Sequence, residues 1–120
     1  MRLQQPCPCG SAATYDACCG RLHRGAARAA TAVELMRARY AAYAVGDLDF
    51  VFRTWHPRTR PDQLEPDPSL TWTGLAVVDS GEDWVEFVAT YSRGGRPGER
   101  REHSLFELRR GDWVYVGEAD

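Results

Sequence analysis

From residue 33 the apolar side chains fall at helical spacing, with Val33, Met36, Tyr40 and Tyr43 recurring every three or four positions. Thr31 and Glu34 stand just ahead of this stripe as a capping box, hydroxyl and carboxylate each answering an unpaired N–H of a helix start, and Gly46 suits the left-handed residue that closes one. The pattern predicts a helix with one buried face. Asp47 can cap a second, shorter helix whose Leu48, Val51, Phe52 and Trp55 share a stripe, and Pro57 ends it. Together they read as a helical hairpin.

Residues 58–69 carry Pro61, Pro66 and Pro68 among polar neighbours and predict an irregular crossing. Beyond them the period becomes two. Residues 72–78 are apolar and β-branched, and residues 84–91 place Val85, Phe87, Ala89 and Tyr91 on one face. The run Gly94, Gly95, Arg96, Pro97, Gly98 predicts a flexible hairpin connection into a third strand near residues 101–109, with Ser104, Phe106 and Leu108 on one face. Gly111 and Asp112 turn the chain into a fourth strand over residues 113–116. Helices followed by a meander of about four strands predict an α+β fold, with the helices packed on one face of a curved antiparallel sheet.

Residues 6–20 break this pattern: they are small, rich in Cys and Gly, and hold Tyr15 as their one bulky apolar group. Such a segment cannot bury enough surface to fold unaided. At 120 residues the chain suits one ordinary core plus at most a small stapled module, so the division expected is 1–25 and 26–120. A 43% hydrophobic and 27% charged composition excludes disorder, and a net charge of -2 gives no overall attraction to nucleic acid or anionic lipid. The sequence contains no bilayer-length apolar stretch and no secretory run at its start, which favours a cytoplasmic location and excludes a membrane partner. All basic residues are arginine, which fits codon bias as well as a need for planar donors.

In a reducing compartment, Cys7, Cys9, Cys18 and Cys19 point to a metal site rather than to disulfides. Four thiolates suit zinc, and a closed four-sulfur shell is the structural kind, with no position left for water. Gly10 and Ser11 are placed to offer N–H groups to the sulfurs, and Arg21, His23 and Arg24 follow closely enough to offset the negative charge of a tetrathiolate site. Disulfides and free thiols are the alternatives. A bridge between neighbours Cys18 and Cys19 would be strained, one from Cys7 to Cys9 would close a very tight ring, and crossed bridges would require an oxidising compartment.

The string Cys7-Pro8-Cys9-Gly10-Ser11, then Tyr15, then Cys18-Cys19-Gly20 resembles the SEC-C zinc motif, named for the C-terminus of the SecA translocase. Leu35-Met36-Arg37-Ala38-Arg39-Tyr40, Thr54-Trp55-His56-Pro57, Trp72-Thr73-Gly74-Leu75 and Gly111-Asp112-Trp113-Val114-Tyr115-Val116 extend the resemblance over nearly the whole chain, to the bacterial YchJ family. It implies a SEC-C knuckle on an NTF2-like cone, in which helices close over a curved sheet. Some members carry a second SEC-C motif at the C-terminus, whereas the four cysteines here make one.

NTF2-like cones host both enzymes and interaction modules, so the residues must decide. The pocket candidates are Arg37, Tyr40, Trp55, His56 and Trp72, with Arg39 also in view. His56, His103 and Glu102 are weak catalytic candidates, since a histidine beside a carboxylate can move protons near neutral pH. His56 before Pro57 also fits a plain helix-end residue, and Arg37 and Arg39, two apart, should diverge on a helix. Three functions follow. The leading expectation is an interaction or adaptor protein, because the SecA knuckle contacts other macromolecules. The rival is a small-molecule-binding protein or a hydrolase, isomerase or dehydratase using the cone cavity, with the balance against an enzyme. The third is RNA or ribosome association through Arg21, Arg24 and Arg28. NTF2-like domains often pair through the open sheet face, so a homodimer is also expected.

Overall fold

The computed structural model describes residues 2–119; Met1 and Asp120, the outer ends of the two expected domains, lie outside the described residues. After a 3-10 turn at Arg2–Gln4 come α1 (Cys19–His23), α2 (Ala32–Val45) and α3 (Leu48–Arg53). Strands β1 (Leu70–Ser80), β2 (Trp84–Arg93), β3 (Arg96–Arg109) and β4 (Asp112–Glu118) follow as an antiparallel meander in the order β1-β2-β3-β4. The fold is therefore α+β, with the helices on the concave face. The strand pairing shifts register between Trp72 and Gly74, between Val77 and Asp79, and between Leu105 and Phe106, irregularities of the kind that bend and twist a sheet.

The caps of α2 stand where the sequence puts them. The Glu34 amide donates to Thr31 Oγ1 at 3.1 Å, and Gly46 takes φ 85° at the other end. The Glu34 carboxylate reaches one residue further back than a strict box, accepting from the Ala30 amide at 2.7 Å. The single buried face does not hold: Leu35, Met36, Ala38, Arg39, Tyr40, Ala41 and Ala42 are all buried and together circle most of the helix. One flank lies on the sheet and the other under the cysteine segment, and the alanines allow that close approach.

The second helix ends at Arg53, two residues short of the stripe expected to reach Trp55, and buries Phe50 and Val51. Pairing with β4 takes over: the Tyr115 amide donates to the Thr54 carbonyl and the His56 amide to the Tyr115 carbonyl, both at 2.8 Å. The connection between β2 and β3 is also tighter than expected. Gly94 and Gly95, at φ 58° and 84°, form a two-residue turn, so β3 starts at Arg96, paired with Arg93. Pro97 is tolerated in this strand because β4 pairs only from Ser104 onward, leaving the proline nitrogen no ladder bond to make. Arg110 and Gly111, at φ 55° and 86°, make the second such turn, which places Asp112 in β4 rather than in the turn. Leu108, expected inside, is 56% exposed past the end of the core.

Candidate metal centre and cone cavity

The two halves of the cysteine set are brought together by a short loop folded on itself. Backbone bonds Cys7 N–H to Ala13 O (2.9 Å) and Gly10 N–H to Cys7 O (3.1 Å) shape the Cys7–Cys9 turn, where Gly10 adopts φ 85°. The Gly20 amide donates to the Tyr15 carbonyl at 2.8 Å, and a Cβ at position 20 would lie 2.7 Å from that oxygen, so glycine is required there. The sulfurs of Cys7, Cys9, Cys18 and Cys19 all lie within 4.8 Å of one another, with Cys9 to Cys18 at 3.7 Å and Cys18 to Cys19 at 4.0 Å. A tetrahedral ion with metal–sulfur bonds of about 2.3 Å needs sulfurs about 3.8 Å apart, so the set fits a metal ion. All four are free thiols, and Cys7, Cys9 and Cys19 are buried.

Crowding separates their acidities. Cys9 is held well below the ordinary thiol range by hydrogen bonds from Cys19 and Cys7, with smaller help from Ser11. Cys19 is pushed far up by its bonds to Cys7 and Cys9 and by burial. For Cys7 the bond to Cys19 lowers the value, but the bond to Cys9 and burial outweigh it and carry the thiol up to about 11. A cation entering the cluster must therefore displace protons. The Ser11 hydroxyl lies 3.1 Å from Cys18 Sγ as a further partner, while the Gly10 amide is turned to the Cys7 carbonyl instead of to a sulfur.

The knuckle is joined to the cone by polar bonds as well as by packing. Arg37 Nη1 donates to the Cys9 carbonyl at 2.8 Å. His23 is buried between Tyr15 and α2: the Tyr15 hydroxyl donates to Nδ1 at 2.5 Å and Nε2–H donates to the Ala38 carbonyl at 2.8 Å, partners that fix the neutral tautomer. Burial lowers the His23 pKa, so it adds no positive charge near the sulfurs. Arg21 pairs with Glu34 at 2.5 Å, Arg24 with Asp16 at 2.7 Å and Arg28 with Asp112 at 3.5 Å. Each arginine offered for charge neutralisation or RNA contact thus already faces a carboxylate.

On the far side of α2 a cavity of about 340 Å³ lies between helix and sheet. Met36, Arg39, Tyr40 and Tyr43 line it from α2, Trp72, Phe87, Ala89 and Phe106 from the strands, with Trp55 and Tyr115 at the end of α3 and in β4. Tyr40 meets Trp72 edge-on at 5.9 Å, and Trp55 meets Tyr115 at 5.0 Å. Arg39, Arg100, Glu102 and Ser104 bring polar groups to this apolar space. Glu102, in phase with Phe106 on β3, accepts from the Ser104 hydroxyl at 2.5 Å, the Tyr115 hydroxyl at 2.9 Å and Arg100 Nε at 3.1 Å. Arg39, only 6% exposed, donates from Nη1 to the Val51 carbonyl at 2.7 Å and to Thr54 Oγ1 at 2.9 Å. Its guanidinium lies 4.4 Å from the Tyr115 ring centre and 5.1 Å from that of Trp55. Burial lowers its pKa to about 10, which leaves it charged at neutral pH, and burial also raises the Tyr115 and Tyr43 phenols. The buried Trp55 indole N–H has no partner among the described residues.

Of the pocket candidates, Tyr40, Trp55 and Trp72 line this cavity, whereas Arg37 faces the knuckle and His56 lies outside it. Both His56 nitrogens are engaged, Nδ1 by the Arg58 amide at 3.0 Å and Nε2 by Glu107 at 3.0 Å. His103 is exposed on the convex face, stacked on Trp84 at 4.8 Å, while Glu102 points into the cavity, so the two do not meet. No histidine lines the cavity among the described residues. Arg100, Ser104 and Tyr115 complete the Glu102 cluster and were not singled out by the sequence. The available signal was Glu102 and Ser104 in phase with inward Phe106, polar residues where period two demands apolar ones.

Comparison with known proteins agrees with this architecture. The family model described as "YchJ, middle NTF2-like domain" matches residues 31–118, and the SEC-C motif model matches residues 5–21. A UPF0225 protein of Streptomyces coelicolor is 47% identical over 118 residues, covering 92% of this chain and 92% of its own. The solution structure of a SEC-C motif containing protein from Rhodopseudomonas palustris superposes with a TM-score of 0.83 at 35% identity, covering 96% of this chain and 98% of that one. A crystal structure of a SEC-C motif containing protein from Psychrobacter arcticus shares the fold with a TM-score of 0.79 at 24% identity, over 97% of this chain and 83% of that one. No helix among the described residues is long and apolar enough to cross a membrane.

Proposed function

Since the chain belongs to the YchJ family, pairing an NTF2-like domain with an N-terminal SEC-C motif, we propose that it is a small-molecule-binding protein whose zinc-held knuckle is a structural part of the body. The observation that carries this is the cone cavity, about 340 Å³ of space walled by aromatic rings and holding a buried guanidinium. That volume is at the lower end for ligand sites, and an apolar pocket with a few convergent polar groups is the usual form of one. Tight packing would otherwise close such space, because each lost contact in a core weakens the fold.

The zinc assignment rests on the donor set: four sulfurs within 4.8 Å of one another, largely buried, with no fifth ligand of the usual kinds grouped with them among the described residues. The ion would hold the loop shut and supply no chemistry to the cavity, which lies across α2. Catalysis has little support, because Glu102, the one carboxylate lining the cavity among the described residues, already accepts three hydrogen bonds and both ring nitrogens of His56 are engaged outside it.

An adaptor role remains the second reading, favoured by the outer turn of the knuckle, where residues 10–13 are exposed and Ala12 is held at φ 72°. Partner capture with native chain and with the Cys18→Ser, Cys19→Ser double variant tests it, and identical partner lists count against it. The ligand-binding proposal is tested by titrating the full chain with neutral aromatic solutes such as indole and following backbone amide signals. Shifts gathered at Tyr40, Trp72 and Ala89 are expected. Shifts absent, or scattered over the convex face, overturn it.

A further inference from the structure

Resting on the ligand-binding reading above, we infer that the cavity takes a small monocarboxylate with an apolar, ring-sized body, its head gripped side-on by Arg39. The donors left open on Arg39 identify the head group. Nη1 is tied to the Val51 carbonyl and Thr54 Oγ1, while Nε and Nη2 make no hydrogen bond to any described residue. These two nitrogens share one edge of the guanidinium, and their N–H bonds run parallel, matching the two oxygens of a carboxylate. The rings of Tyr115 and Trp55 and the two Nη1 bonds hold the group in place, so a ligand would meet a fixed fork.

Charge points the same way. Glu102, the one carboxylate that lines the cavity among the described residues, is engaged by Ser104, Tyr115 and Arg100; it attracts Arg39 only from beyond ion-pair distance, and no other described carboxylate comes within that distance of Arg39. A buried cation without a direct counter-ion is unfavourable until an anion arrives. One free guanidinium in an apolar site answers one negative charge. A phosphate dianion would leave its second charge buried and unpaired, and a cationic ligand would be repelled. Trp72, Phe87, Phe106 and Tyr40 supply the walls for a ring, and the volume corresponds to roughly eleven waters at ~30 Å³ each, room for a monocyclic acid.

Phenylacetate and its neutral isostere phenylacetamide, titrated into the full-length metal-bound chain at pH 7 and followed by amide shifts, test the inference. Phenylacetate should bind at least about tenfold more tightly than the amide, the ratio expected for a charge-assisted hydrogen-bonded pair. Glu102→Gln, which keeps the side-chain shape and removes the competing charge, should tighten phenylacetate severalfold and leave phenylacetamide unchanged. Ala89→Phe, which fills the cavity from β2, should abolish both. Arg39→Lys keeps the charge without the fork and should lower the acid preference. Equal binding of acid and amide at cavity residues, insensitive to Glu102→Gln, overturns the carboxylate inference while the ligand-binding reading stands. If neither probe shifts cavity residues of the folded native chain, both fall.

Discussion

Arg37 and Arg39 stand two residues apart on α2 and face opposite structures: Arg37 Nη1 bonds the Cys9 carbonyl of the cysteine knuckle at 2.8 Å, and Arg39 Nη1 bonds the Val51 carbonyl beside the cone cavity at 2.7 Å. Successive pairs on a helix diverge, so one helix serves as a wall to both. Knuckle and cone therefore share α2, and Cys7, Cys9 and Cys19 sit in the same buried cluster as Leu35, Met36, Ala38 and Phe106.

The two arginines should separate in mutagenesis. Arg37→Ala removes a bond that orients the carbonyl of a ligand residue, and is expected to cost about 1 kcal/mol and to weaken metal retention roughly tenfold. Arg39→Ala leaves the Val51 carbonyl only the 3.4 Å contact from the Thr54 hydroxyl and empties a buried site, so about 2–4 kcal/mol is expected, with metal retention little changed. Urea unfolding and chelator competition on the two variants measure both quantities; equal metal loss in both would contradict the division of roles.

Metal removal should destabilise the whole chain. The expected division into 1–25 and 26–120 implies a knuckle that unfolds while the larger domain stays mostly intact, but the shared core and the Tyr15–His23–Ala38 chain tie the parts together. Calorimetry of chelated protein should show one transition, lowered by more than about 10 °C, a shift that corresponds to roughly 2 kcal/mol in a domain of this size. Metal uptake at pH 7 should release protons from Cys7 and Cys19, whose thiols are raised. Two separate transitions, with the upper one indifferent to metal, would contradict this.

Acid should weaken the fold through His23. Its folded pKa lies below the ordinary value of 6.5 because burial disfavours the imidazolium. The unfolded chain then binds the proton more readily, so the stability tied to neutral His23 is complete above about pH 6.5 and declines as pH falls below it toward the depressed folded value. The slope can reach ~1.4 kcal/mol per pH unit. His23→Gln should be less stable at pH 7 yet lose less between pH 6.5 and 5; an unchanged slope in that variant would assign the acid sensitivity elsewhere.

The elements with strong local signals were legible in the sequence. Thr31, Gly46 and Asp47 marked helix ends because capping is settled by a few adjacent atoms, and the cysteine spacing marked a cluster able to hold a metal ion because a tetrahedral ion dictates which residue types can ligate it. Tertiary pairing hid the rest. Nothing near Trp55 announces that the chain leaves its helix to bond Tyr115, sixty residues later. Arg39 stood among the pocket residues the sequence offered, but nothing set it apart from Arg37 until the ring of Tyr115 and the carbonyl of Val51 are brought to it. His56 carried a suggestive residue type, but its partner Glu107 lies outside the cavity.

The most direct measurement of the central claim is an intermolecular nuclear Overhauser experiment on the full chain with saturating phenylacetate, read at the Ala89 methyl group. That methyl belongs to a residue only 2% exposed on the inner face of β2, within the cavity wall. Ligand bound in the cone predicts cross-peaks between the phenyl protons and the Ala89 methyl; cross-peaks confined to surface residues such as Val78 or Leu108, or none at saturation, would contradict it.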